Sequence, residues 1–152
     1  MTARYAPAHR GETSTADLRS FALRPVLSPL RWVLAAAALV VAVAHIPVIA
    51  PHLDEAPYMG WLFVVLTVGC LAIGLTVLIR DSAAVYALAT VTCGLAVVGY
   101  VATRLVAFPM LADDVGNWLE PLGVVSIIGE LIVIATALTA LHDERARTAG
   151  QP

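Results

Sequence analysis

Glu130 stands near the centre of an apolar stretch, Leu122–Leu141, that contains no Lys or Arg. A charged carboxylate at the middle of a bilayer costs at least about 2.5–3.5 kcal/mol on insertion scales. Such a group is kept for proton or ion chemistry, or for a hydrogen bond between helices that fixes their packing. Helical spacing places Gly123, Ser126 and Ala137 on its face. That face is small and partly polar, the kind that packs against other helices. Glu130 is therefore expected to point into a bundle. His45 is the one other strongly ionisable side chain within the apolar stretches, and Tyr100 adds a phenol at a comparable depth. Counting 1.5 Å per residue on antiparallel helices brings His45 within a few Å of the Glu130 level. An intramembrane cluster of His45, Tyr100, Ser126 and Glu130 is the first candidate site.

A second set of chemistry-bearing residues flanks the stretches. His52, Asp54 and Glu55 follow the first, and Arg104, Asp113, Asp114 and Glu120 lie between the third and fourth. Oxygen ligands suit hard cations and imidazole suits transition metals. The spacing matches no metal motif. The plainer expectation is that acids on the outer side balance arginines on the inner side, with Arg104 paired to Asp113, Asp114 or Glu120. Haem held by two histidines needs a second His at the depth of His45; His52 is in a loop, and His9 and His142 are in the tails. No cofactor is expected. There is no P-loop, no GxGxxG and no Gly-x-Ser-x-Gly, so no enzyme chemistry is indicated. Cys70 and Cys93 sit mid-stretch and read as buried, inert thiols.

The elements that must position these groups are four apolar stretches, Trp32–Ile49, Trp61–Ile79, Ala84–Thr103 and Leu122–Leu141. Each matches the roughly 20 residues that cross a hydrocarbon core. Without water there, each must close its backbone hydrogen bonds as a helix. Composition agrees: 60% of residues are hydrophobic and 13% charged, with mean hydropathy +0.86. The net charge of −2 gives no footing for nucleic acid. The expected fold is all-α, a four-helix transmembrane bundle of two helical hairpins with both termini cytoplasmic. Residues 1–28 are expected as a disordered cytoplasmic tail, 29–142 as the transmembrane domain and 143–152 as a second cytoplasmic tail.

Orientation follows the arginines. Arg4, Arg10, Arg19, Arg24 and Arg31 precede the first stretch, Arg80 lies in the middle turn, and Arg145 and Arg147 follow the last. Positive residues favour the cytoplasmic side. Trp32 is expected at the inner interface, and Tyr58, Trp61, Phe108 and Trp118 at the outer one. Pro47 should bend or end the first helix, while Pro121 should open the fourth. The Ala42-x-Ala44 step resembles a signal cleavage site, but the tail before the first stretch is too long for a signal peptide. Leu53–Leu62 and Leu111–Leu119 each carry an acidic pair followed by Gly and a Trp-Leu step, which suggests an internal repeat of the two hairpins.

The segments His52-Leu53-Asp54-Glu55-Ala56-Pro57-Tyr58-Met59-Gly60 and Asp113-Asp114-Val115-Gly116-Asn117-Trp118-Leu119-Glu120-Pro121-Leu122-Gly123 resemble those of an uncharacterised actinobacterial family of four-helix integral membrane proteins. The resemblance spans roughly 32–141 and implies a plasma-membrane location and the same fold. It brings no activity and no site residues. Three functions remain in view: an accessory subunit or sensor meeting a ligand or partner at its outer loops, a small ion- or proton-coupled transporter using Glu130, and a metal- or haem-binding membrane protein. The partners expected are the lipid bilayer and either another membrane protein or a second copy.

Overall fold

A computed structural model describes residues 20, 23, 26 and 28–150, so the tail expected over 1–28 lies almost wholly outside the described residues. Among the described residues four long helices form: α1 (Arg31–Glu55), α2 (Pro57–Ile79), α3 (Ala83–Leu105) and α4 (Pro121–Ala149). All four are long and apolar enough to cross a membrane. One short 3-10 turn, Ala112–Asp114, interrupts the connection between α3 and α4.

α1 is the hub. It packs along α2 and against α4; α4 also packs on α3, and α2 meets α3 in the smallest of these four contacts. Burial follows this order, with 39% of the apolar window buried in α1 and α4 but 22% in α3. The remaining apolar side chains, such as Leu62, Val65, Leu88, Val91 and Leu95, face outward. In lipid such exposure costs nothing, so close packing rather than apolar burial must hold the helices together. The buried faces are accordingly built from small residues: Ala37, Ala38 and Ala42 of α1 and Ala137 and Ala140 of α4. Gly129 of α4 is required there, because a Cβ would fall 2.7 Å from Cγ2 of Val41.

The first hairpin and the suggested repeat differ from the sequence expectations. Pro47 does not end α1, which continues through Pro51 to Glu55. Each proline leaves a carbonyl one turn back without its usual donor, and neighbouring groups in a membrane helix can make this good. The stretch 50–60 is therefore no loop; α1 and α2 are separated by Ala56 alone. The tight corner works because Gly60 lies against Leu53, where a Cβ would come 2.7 Å from the Leu53 backbone nitrogen. The suggested repeat also lacks structural support, since Gly60 and Trp61 are helical while Gly116 sits in the α3–α4 connection at φ +78°. Beyond its apolar stretch, α4 continues as a helix through residues 143–149.

The segment leading into α1 and the last turns of α4 lie at the same end of the bundle as the Asp81 turn. Val26 N–H donates to the Asp81 carbonyl (2.9 Å) and Ser28 N–H to its carboxylate (3.0 Å). Arg31 lies 3.7 Å from the same carboxylate, and Arg147 donates to the Val26 carbonyl at 2.6 Å. The opposite end carries the α1–α2 corner and the α3–α4 connection, here called the cap.

Candidate functional site

The carboxyl of Glu130 is 2% exposed and faces the bundle interior, as its surroundings in sequence required. Its Oε1 lies 4.0 Å from Nε2 of His45, which is itself buried. The distance exceeds a direct hydrogen bond and suits a single bridging water. Oε2 has no partner. His45 is oriented from within its own helix: its Nδ1 lies 2.7 Å from the Val41 carbonyl, and its ring rests 5.3 Å from that of Phe63 on α2.

The other two members of the expected cluster are engaged elsewhere. The Tyr100 hydroxyl donates to the Trp118 carbonyl at 2.8 Å, toward the cap. Its ring lies against Gly123, where a Cβ would meet Cε2. Ser126 donates to the Leu122 carbonyl one turn back, at 2.9 Å. Tyr100 thus belongs to the cap, and Ser126 lines the buried face with its hydroxyl turned to its own helix. Depth matching placed Tyr100 too deep because a tyrosine reaches far along its helix toward polar surroundings.

Sequence reasoning missed α2. Phe63, Thr67, Cys70, Gly74 and Val77 recur at alternating spacings of four and three, which marks one helix face. Thr67 is buried and its hydroxyl has no partner. Cys70 neighbours Cys93 of α3, and both thiols lie within electrostatic reach of Glu130. Both cysteines are free and buried. The stripe was readable, but nothing in the sequence said that it faced Glu130.

At the cap, Arg104 and Asp114 make a salt bridge of 2.7 Å, one of the three pairings expected. Arg104 also donates to the Asp114 carbonyl at 3.2 Å, and its guanidinium lies 4.6 Å over the Tyr100 ring. Its own carbonyl accepts from Gly116 N–H at 3.0 Å. Glu120 caps α4, accepting from Leu122 N–H at 3.2 Å and from Gly123 N–H. Tyr58 of α2 donates to the Pro109 carbonyl at 2.8 Å, tying the α1–α2 corner to the cap.

The remaining cap-end acids do not gather. Asp54, Glu55 and Asp113 are exposed, and His52 turns its Nδ1 to the Val48 carbonyl (2.8 Å) with its ring edge-on to Phe63. Among the described residues, no three His, Cys, Asp or Glu side chains converge as a metal site. The outer cluster of His52, Asp54, Glu55, Arg104, Asp113, Asp114 and Glu120 is thus a brace around Arg104 with separate acids beside it.

No family model, curated protein or solved structure matches the chain. Function must therefore be argued from geometry. Two shallow surface hollows, one bounded by Ser28, Asp143 and Arg147 and one by Trp32, Val40 and Ile132, are not lined by His45 or Glu130.

Proposed function

We propose that this multi-pass membrane protein is a non-enzymatic accessory subunit or sensor of the plasma membrane, threaded with both termini cytoplasmic, whose cap meets a partner on the outer side. The observation that carries the reading is a braced backbone presenting apolar side chains. Arg104, Tyr58, Tyr100 and Glu120 fix the cap at separate points. On that frame Leu119 is 84% exposed and Met110 63% exposed, with Val115 and Trp118 also outward. A connection that had only to join α3 to α4 needs no such bracing. Preorganised backbone lowers the ordering cost of binding, and apolar side chains clustered on a polar surface mark interaction sites. The arginine distribution supports the orientation.

A photo-crosslinking residue at Leu119, in native membranes, tests this reading. The expected result is one stoichiometric adduct at Leu119 that weakens when Asp114→Asn loosens the cap. An adduct pattern indifferent to that substitution, or none at Leu119, would refute it.

A second reading, a proton- or ion-coupled transporter centred on Glu130, is favoured by the buried His45–Glu130 pair. Flux into proteoliposomes that Glu130→Gln abolishes, with the fold intact, is its expected signature.

A further inference from the structure

Three helices each contribute a buried polar side chain to the bundle interior: His45, Thr67 and Glu130. His45 Nδ1 faces a carbonyl oxygen, which can only accept, so Nδ1 carries the ring hydrogen of the neutral imidazole. The other nitrogen, Nε2, then turns a bare lone pair toward Glu130 Oε1 at 4.0 Å. Glu130 Oε2 and Thr67 Oγ1 are both buried and unpartnered. The position of Thr67 is bracketed along its helix face. Phe63, one turn away, rests on the His45 ring, and Cys70, one turn the other way, lies within electrostatic reach of Glu130.

An ionised Glu130 would thus set a carboxylate against an imidazole lone pair, two acceptors in a medium of low dielectric. No Arg or Lys occurs in the apolar stretches to neutralise the charge. The other ionisable side chains within reach are the thiols Cys70 and Cys93. An unpaired buried charge is expensive and its oxygens demand partners. One proton resolves both problems at once: it makes the pair neutral and supplies the missing donor.

We infer that His45, Thr67 and Glu130 form an intramembrane proton-binding site, in which one exchangeable proton resides on the Glu130 carboxyl and is shared with His45 through a bound water that Thr67 completes. Buried polar sites of this kind hold water when two or more partners converge. The site deepens the proton-coupled reading without resting on it, since binding a proton requires no passage across the membrane. A flux assay that fails leaves it standing.

Infrared spectroscopy of the full chain in lipid vesicles reads the proton directly. The wild type should show a protonated-carboxyl stretch at neutral pH that shifts in D2O and is missing from Glu130→Gln. His45→Phe removes the acceptor, so the pH at which the band is half lost should fall by about one unit, a tenfold loss of proton affinity. Thr67→Val, nearly isosteric, should move the band frequency, and it keeps the test open should Glu130→Gln not fold. A fully ionised Glu130 at neutral pH would overturn the inference. So would a band that neither His45→Phe nor Thr67→Val alters, because that describes an isolated acid. Loss of the band on adding sodium at constant pH would put a metal in the proton's place and overturn it as well.

Discussion

Asp114→Asn should destabilise the protein more than Arg104→Met, although both break the same contact. The Arg104 side chain is 7% exposed and that of Asp114 is 26% exposed. Removing the carboxylate charge strands a buried guanidinium, whereas removing the guanidinium leaves an acid that can turn to water. Breaking a fully buried pair costs about 3–5 kcal/mol and an exposed one about 0–1 kcal/mol. Arg104 keeps its bond to the Asp114 carbonyl and its place over Tyr100, at 3.2 Å and 4.6 Å. The expectation for Asp114→Asn therefore falls between those limits, at about 2 kcal/mol, against about 1 kcal/mol for Arg104→Met. The double variant should cost no more than Arg104→Met alone, since no charge is then stranded. Equilibrium unfolding of the four proteins in one detergent or lipid gives the cycle. Wild-type stability for Asp114→Asn, or losses that simply add in the double variant, would refute the argument.

Helix packing offers a paired test: Gly129→Ala should cost roughly 1–3 kcal/mol because its Cβ meets the buried Val41 at 2.7 Å, whereas Gly94→Ala, with nothing within 4 Å, should be neutral or slightly stabilising in the same unfolding assay. Oxidation by a membrane-permeant reagent should link Cys70 to Cys93 within one chain, seen by mass after proteolysis; a Cys70→Ser control should remain unlinked, and failure of the wild type to link would separate the thiols. A thiol introduced at Asp113 should react with an impermeant reagent in intact cells and one at Thr13 should not; the reverse pattern would invert the proposed threading. Gly116→Ala, at φ +78°, should cost about 1 kcal/mol and loosen the cap, measured as faster proteolysis of the α3–α4 connection.

Sequence alone determined that there are four helices and roughly where they lie, because a bilayer leaves a chain no other way to satisfy its backbone. It determined that Glu130 points inward, since the alternative is a carboxyl in lipid, and that Arg104 meets an acid at the same end. The helix ends were less legible. Pro47 reads as a bend or an end, yet α1 continues to Glu55, because the corner is set by Gly60 closing on Leu53 and not by propensity. Tertiary structure alone decided which groups share a site. Depth is a one-dimensional quantity and can be counted from residue numbers, so His45 and Glu130 could be matched. Rotation about each helix axis and the order of helices around the bundle cannot be counted that way. They arise from packing of small residues where α1 meets α2 and α4, which brought the two thiols toward Glu130 and left Tyr100 with the cap.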